Sequence, residues 1–418
     1  MKHLTILYIF LLSFFAVQGQ EILQNKMNTS NIKTVLMYAG DDELSLPVWD
    51  LGTEKPLTLS FDDLDADVKN YYYRLVHCNA DWSPSGLDPY EYLEGFNENQ
   101  LSDYQSSFNT TVNYTHYRLQ IPNDNLRPVK SGNYVIQIYE GSNPDKEIFN
   151  KRFMVVERKT EISGLSRNLN QGSYFYNDQE LEITVNYFEN DFYDISQNLK
   201  VQVLKNRNWQ ESLQFSMPDV IKGNEFIFNN FTKLKFKGGN EFHHFNTKDI
   251  YHYLENIKDI SYIDNTYHFL LSENTDRTFQ EYIYKPDING LFKTDVSGSD
   301  YPESEADYCY VYFTLNMEAP MQQGDIYVWG ALTNYEFTDD YKMKYNFEQK
   351  AYELRLLLKQ GYYNYQYVLM ENGKPDFTYI EGNHAQTENL YTVLVYYHDY
   401  RGNYDRLIGV HEFASQQY

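Results

Sequence analysis

Alternation of apolar and polar residues with a period of two recurs along most of this 418-residue chain. Leu57, Leu59 and Phe61 lie on one face of such a pattern, and residues 181–187 repeat it. This alternation predicts half-buried β-strands, because successive side chains of a strand point to opposite faces. The 42 tyrosines and 26 phenylalanines favour strands and supply bulk between sheets. We therefore expect an all-β protein.

The spacing of these patterns predicts several units. Short strands separated by Gly, Asn and Pro turns are typical of tandem antiparallel β-sandwiches of the immunoglobulin-like class. One short helix is predicted over residues 248–259. The predicted division is an N-terminal sandwich with a long aromatic and acidic loop, a second sandwich, a linker and a C-terminal early-set immunoglobulin-like domain, over residues 21–157, 158–287, 288–306 and 307–418.

Residues 1–20 have the pattern of an export signal. A short basic start precedes an apolar run over residues 4–17, and Gly19 offers a cleavage site. The run is too short for a spanning helix, and no later stretch approaches the roughly 18 apolar residues that a membrane span needs. We expect an exported protein that is then soluble, unless it is an outer-membrane barrel.

Charge and cysteine usage restrict the partners and the covalent links. The formal net charge of −24 argues against nucleic acid and anionic lipid, because both require clusters of Lys and Arg. The two cysteines, Cys78 and Cys309, lie in apolar strand-like patterns far apart in the chain. We interpret them as two separate buried thiols.

An acidic cluster follows the first clear strand and suggests a calcium site, but it does not match the helix–loop–helix calcium-binding pattern. It comprises Asp62, Asp63, Asp65 and Asp67. Counted from Asp63, the sixth and twelfth positions of a helix–loop–helix calcium site should be Gly and Glu. They are Val68 and Arg74, so a solvated turn is the preferred interpretation.

No catalytic constellation is recognisable in the sequence. His243, His244 and His252 lie near one another but lack the spacing of a zinc site. Neither a nucleophile elbow nor a phosphate-binding glycine loop occurs. We expect no enzyme activity, no metal, no cofactor and no small-molecule substrate.

The segments HCNADW and YLEGFNEN are the strongest candidates for a contact surface. They place aromatic residues among Asn and acidic residues in a long irregular stretch, where binding sites are often found. Two interpretations remain open: these side chains fasten the loop to its own sandwich, or some are anchors for a partner. The candidate residues are Trp82, Tyr90, Tyr92, Phe96 and Asn97.

Three longer blocks resemble a known family. They are SFDDLDADVKNYYYRLVHCNADW, YLEGFNEN and EGNHAQTENLYTVLVYYHDYRGNYDRLIG, and they bracket nearly the whole mature chain. They resemble the plug protein of the type IX secretion system of Bacteroidota. The resemblance implies a periplasmic, non-catalytic protein that occludes the opening of a large outer-membrane translocon by filling it.

An alternative function comes from the C-terminal region. The stretches GDIYVWGALTNYEF and KAYELRLLLKQGYYNYQYVLMENGKPD resemble early-set immunoglobulin-like domains, a group that includes glycogen-binding modules. That resemblance implies an exported glycan-binding protein whose exposed aromatic residues stack on sugar rings. The candidates are Trp329, Tyr335 and Phe337, although packing inside the domain is the preferred interpretation for Trp329.

Overall fold

A computed structural model describes residues 22–167, 177–188, 192 and 194–415 of the chain. The predicted export signal over residues 1–20 and a predicted strand over residues 171–176 lie outside these ranges. No helix among the described residues is long and apolar enough to cross a membrane.

The first sandwich is built from the N-terminal third of the chain. Its sheets enclose a core of alternating aromatic and aliphatic side chains, including Phe61, Tyr117 and Phe149. One sheet has the order β1-β12-β11-β5-β7 with β3 beside β12, and the other has the order β2-β4-β9-β8. The elements are β1 Lys26–Met27, β2 Ile32–Ala39, β3 Val48–Asp50, β4 Leu57–Asp63, β5 Tyr71–Cys78, α1 Pro89–Tyr92, β6 Leu93–Gly95, β7 Asn99–Gln100, β8 Asp103–Ser106, β9 Thr115–Ile121, β10 Leu126–Pro128, β11 Gly132–Glu140 and β12 Glu147–Val156.

The second sandwich combines the middle of the chain with its C-terminal strands. Its sheets have the orders β13-β14-β18-β17 and β16-β15-β31-β32. Leu181, Ile183 and Val185 face Tyr391 and Val393 in one core. The elements are β13 Thr160–Arg167, β14 Asp178–Tyr187, α2 Ile195–Asn198, β15 Leu199–Lys205, β16 Asn208–Phe215, β17 Val220–Lys222, β18 Glu225–Phe228, β19 Lys235–Lys237, β31 Leu390–Asp399 and β32 Tyr404–Ala414.

The third sandwich lies in the chain between β19 and β31. Its longest strand pairs with four others, and Phe245, Phe313 and Tyr365 pack in its core. The elements are β20 His243–Asn246, β21 Ile257–Ile263, β22 Thr266–Leu271, β23 Asn274–Thr275, β24 Phe292–Thr294, α3 Pro302–Glu305, β25 Tyr308–Asn316, β26 Asp325–Trp329, β27 Lys344–Asn346, β28 Ala351–Lys359, β29 Gly361–Glu371 and β30 Lys374–Asp376.

The predicted all-β fold of antiparallel sandwiches is confirmed, but the strands pair differently from the predicted division. Residues 243–287, predicted in the second unit, supply β20 to β23 of the third sandwich. The predicted linker 288–306 contains β24, which pairs with β29. β31, predicted in the C-terminal domain, pairs with β15 of the second sandwich. A local pattern identifies a strand but not its partner, because pairing is decided by contacts distant in sequence.

The short helix predicted over residues 248–259 is not formed. Asp249 instead accepts hydrogen bonds from the backbone of Tyr251 and His252 in a turn. β21 then begins at Ile257 and pairs with β22. The strand pairing outweighs the weak local preference for a helix, as tertiary contacts commonly do.

A buried ionic cluster joins the first and third sandwiches. Asp62 on β4 accepts from Lys359 Nζ at 2.7 Å and from the Tyr308 hydroxyl at 2.7 Å. Its other oxygen lies 2.6 Å from His116 Nδ1. Burial alone would raise the pKa of Asp62, but Lys359 and His116 outweigh it and hold that pKa below its usual value. The carboxylate is therefore charged, paired and fully enclosed.

A second joint connects the first and second sandwiches. Leu204, Leu394 and Tyr396 of the second sandwich pack on an apolar face of the first. The Tyr396 hydroxyl donates to Asn133 Oδ1 at 2.8 Å, and the backbone N–H of Ala80 donates to Asp405 Oδ2 at 3.0 Å. These contacts make the sandwiches one body.

Replacing Lys359 by methionine is expected to lower the free energy of unfolding by about 3–5 kcal/mol, because the enclosed carboxylate of Asp62 would lose its ammonium partner. Urea denaturation at pH 7 measures the change. The double variant Asp62→Asn/Lys359→Met is expected to lose less than Lys359→Met alone, since both charges are gone.

The matched control is Lys350→Met. The Lys350 ammonium pairs with Glu318 at the surface, where such a pair adds little to stability. We expect this variant to unfold at nearly the same urea concentration as the wild type. A Lys359→Met protein that behaved like the control would show that the buried pair does not hold the sandwiches together.

Candidate functional site

The HCNADW segment forms the joint between sandwiches and not a free loop. Trp82 adopts a positive φ of 67°, and its N–H donates to Asn79 O at 2.9 Å, which closes a tight turn after β5. Its ring is 3% exposed and meets Trp209 edge-on at 5.0 Å. The Arg152 guanidinium lies 4.3 Å from its ring centre. Trp82, predicted as a candidate partner contact, is thus covered by the second sandwich.

Two other predicted candidates fasten the following loop to β5. The hydroxyl of buried Tyr92 donates to Leu75 O at 3.0 Å. Asn97 Oδ1 accepts from the Leu75 N–H at 2.9 Å. Both bonds converge on one residue of a central strand, so Tyr92 and Asn97 position the loop and Tyr92 offers no exposed face.

Tyr90 and Phe96 are the predicted candidates that reach solvent. Tyr90 is 87% exposed and Phe96 76% exposed. They flank a depression of about 440 Å³, which we call the Tyr90–Phe96 surface. Its lining residues are Arg74, Pro89, Tyr90, Leu93, Gly95, Phe96, Asn97 and Glu98.

Local structure holds this surface in place. Asp88 caps α1 by accepting from the Tyr90 N–H at 3.2 Å, and Glu91 Oε2 accepts from the Asp88 N–H at 2.9 Å. This reciprocal capping box satisfies donors that a helix start leaves unpaired. Gly95 has φ +97°, and a Cβ there would lie 2.0 Å from Asn125 O. Only glycine allows this close approach of the two chain segments.

The rim of the Tyr90–Phe96 surface is polar. Arg74 projects from β5 and donates from Nε to Gln137 Oε1 at 2.7 Å. Glu98 adds a carboxylate to the same rim. Two exposed aromatic rings inside a polar rim are typical of a hydrated, non-obligate protein interface. Arg74 was not among the predicted candidate residues, although a charged residue within the apolar strand YYYRLV was an available signal.

The aromatic residues proposed for glycan binding form an internal cluster. Trp329 is 1% exposed. Its ring packs against Tyr335 at 5.0 Å, Phe377 at 4.9 Å and Phe337 at 6.3 Å. Tyr335 and Phe337 are half-buried on the same cluster. Trp329 therefore has no free face on which a sugar ring could stack, which agrees with the preferred packing interpretation.

Three carboxylates of the acidic cluster surround Lys69, whereas Asp62 belongs to the buried ionic cluster with Lys359. Lys69 Nζ lies 2.9 Å from Asp63 and 3.8 Å from Asp67, and it also contacts Asp65. The ammonium occupies the position where a metal ion would have to sit. Within the described ranges, no group of three or more His, Cys, Asp or Glu side chains is arranged to hold a metal.

The histidines and cysteines have separate surroundings. His243 Nε2 lies 3.3 Å from Glu381, whereas His252 Nδ1 lies 3.0 Å from Asp249. Cys78 and Cys309 are free and buried, which confirms the predicted separate thiols. Burial raises the pKa of Cys78 to about 12, so the thiol stays protonated at neutral pH.

The fold defines a class of protein in which three β-sandwiches form one body. The family model of the type 9 secretion system plug protein 1st domain matches residues 32–157. A hypothetical protein from Parabacteroides merdae ATCC 43184, known from a crystal structure, is 34% identical with a TM-score of 0.88, over 94% of this chain and 99% of that one. The chain belongs to the type IX secretion system plug protein family, and this membership associates it with type IX secretion.

Other comparisons add nothing on function. Collagen adhesin (CNA) from S. aureus is 8% identical over 93% of each chain with a TM-score of 0.13, which carries no argument. No protein of curated function matches the chain. The family match covers all of the Tyr90–Phe96 surface, since residues 74–98 fall inside it.

Replacing Asp88 by alanine is expected to lower the free energy of unfolding by about 1 kcal/mol, because the cap of α1 is lost. Hydrogen exchange should show faster exchange at the α1 amides and unchanged exchange in β11. Asp124→Ala, at an exposed turn of the same sandwich, serves as the control. Equal protection of α1 in both variants would contradict the role of the cap.

Proposed function

We propose that this chain is the periplasmic plug that binds and occludes the periplasmic opening of the type IX outer-membrane translocon. The family match over residues 32–157 is the observation that carries the proposal. The predicted export signal over residues 1–20 supports the location. The proposed role is steric gating, and it assigns no catalytic residue.

Rigidity between the sandwiches supports a steric mechanism. A plug that bends would leave a wide channel partly open, so its parts must keep their relative positions. The enclosed Asp62–Lys359 pair fixes the first sandwich to the third. Arg406 donates to both carboxylate oxygens of Glu157 at 2.7 Å, which fixes β32 to the end of the first sandwich. Bidentate pairs of this kind restrict orientation as well as distance.

We assign partner contact to the Tyr90–Phe96 surface. Its two rings are exposed, while Asn97 and the capped α1 keep their backbone in place. Aromatic anchors supply a large share of interface energy, and anchors that are ordered beforehand lose less entropy on binding. A reversible seal suits a small apolar centre with a polar rim.

The first experiment is recovery of the partner from cells. A tagged chain is purified from detergent-solubilised outer membranes, and the associated proteins are identified by mass spectrometry. We expect the type IX translocon protein to be enriched over an untagged strain. Recovery of the tagged chain without any translocon protein, also when cargo is depleted, would contradict the proposal.

The double variant Tyr90→Ser/Phe96→Ser tests the contact surface. Loss of an interface hot spot costs about 2 kcal/mol or more, or roughly 30-fold in Kd, so recovery of the translocon should fall sharply. Both side chains are exposed, so the fold should be retained. The control is Phe347→Ser, a 76% exposed ring on the third sandwich. Equal recovery by the double variant and this control would reject the assigned surface.

A further inference from the structure

A polar cleft of about 460 Å³ opens where the three sandwiches meet. The N-terminal part of the chain contributes Arg152, residues 80–82 and residues 22, 24 and 25 to its walls. The second contributes β16 together with Gln202 of β15, and the third contributes residues 334–337. This cleft is separate from the Tyr90–Phe96 surface, with which it shares no lining residue.

The Arg152 guanidinium has no carboxylate partner among the described residues. It lies 4.3 Å from the ring centre of Trp82 and 5.5 Å from that of Trp209. Within the described part of the chain, no carboxylate oxygen comes within 4.0 Å of it. Burial lowers the pKa of Arg152 to about 10, since lost hydration is not offset by a nearby carboxylate. A charge in this position favours an anionic ligand.

Arg207, in the same cleft, differs from Arg152 because all three of its guanidinium nitrogens donate hydrogen bonds. Its Nε and Nη2 donate to the two oxygens of Glu412 at 3.0 and 2.9 Å, and its Nη1 donates to Leu44 O at 2.7 Å. Arg152 uses Nε and Nη2 on Leu23 O alone. Among the described residues, its Nη1 has no acceptor, so both N–H groups of Nη1 remain for a ligand.

The cleft already holds extended backbone of this chain. The Leu23 N–H donates to Trp82 O at 3.1 Å, and the Leu23 carbonyl accepts from Arg152. The Arg152 N–H in turn donates to Asn25 Oδ1 at 2.8 Å. Peptide geometry therefore suits this wall.

The opposite wall, formed by β15 and β16, presents amide and hydroxyl side chains to the cleft. β16 is the outermost strand of its sheet, so one edge has no partner strand among the described residues. Ser212, Gln214 and Gln202 share the face that lines the cleft, with Gln214 directly opposite Gln202. Amide side chains both donate and accept hydrogen bonds, as peptide groups require.

We propose that this cleft binds an extended peptide segment of another protein, with a carboxylate of that segment on the free Nη1 of Arg152. The planar fork of arginine matches a carboxylate, and the amide face of β15 and β16 receives the neighbouring peptide groups. Asp81 and Glu336 also line the cleft, so the position that favours a carboxylate is confined to the vicinity of Arg152.

The test is a fluorescence-anisotropy titration of the full mature chain. The probe is a fluorescein-labelled heptapeptide of alternating threonine and valine with a central glutamate. We expect saturable binding that weakens about tenfold when glutamate is replaced by glutamine in the peptide, or when Arg152→Gln is made in the protein. Equal binding of the two peptides would overturn the proposal.

Two variants of the exposed residue Gln214 test the site independently, in case Arg152→Gln does not fold. Gln214→Lys is expected to tighten binding of the glutamate peptide, and Gln214→Glu to weaken it, with unchanged melting temperatures. Arg401→Gln, at an exposed turn outside the cleft, is the matched control and should bind like the wild type. A loss with Arg401→Gln equal to that with Arg152→Gln would show nonspecific attraction and reject the site.

Two competitors test whether the cleft prefers a peptide to other anions. Inorganic phosphate and an oligomer of galacturonate are added to the bound probe at equal carboxylate or phosphate concentration. We expect the unlabelled glutamate peptide to displace the probe at much lower concentration than either competitor. Stronger displacement by the galacturonate oligomer would assign the cleft to an acidic glycan, and by phosphate to a simple anion, and either result would overturn the peptide proposal.

Discussion

The relative placement of the first and third sandwiches depends on one buried carboxylate, that of Asp62. It takes hydrogen bonds from Lys359, Tyr308 and His116, which belong to strands of two different sandwiches. An enclosed charge is tolerated only when its partners are complete, because the desolvation penalty is several kcal/mol for each ion. We infer that this cluster specifies how β4, β25 and β28 meet more than it adds net stability.

The chain path reinforces this joint. The third sandwich is inserted between β19 and β31, so both of its connections lead into the second sandwich. Gln179 on β14 donates to Ala385 O and Thr387 O near the return of the chain, at 2.8 and 2.7 Å. Two chain connections to the second sandwich restrict the rotation of the third sandwich more than a single linker would. This constraint is what makes a steric role physically reasonable for a protein of this family.

Single strands were predictable because their signal is local. The alternation predicted at Leu57, Leu59 and Phe61 corresponds to β4, which extends two residues further, to Asp63. The strand Tyr404–Ala414 was not predicted, since its sequence mixes charged residues with apolar ones on both faces. It is stabilised by pairing with β31 and by contact with the first sandwich, which no window of the sequence contains.

The fold class, the separate thiols and the loop that carries the candidate surface could be predicted from local patterns, because alternation, spacing and composition are properties of neighbouring residues. The exposure of Tyr90 and Phe96 and the burial of Trp82 and Tyr92 depend on how the sheets pack, although all four residues stand in similar surroundings along the chain. Packing also brings Lys359 to Asp62 and, among the described residues, leaves Arg152 without a carboxylate. Exposure and charge pairing are set by segments that lie hundreds of residues apart, and these become neighbours only when the sheets pack.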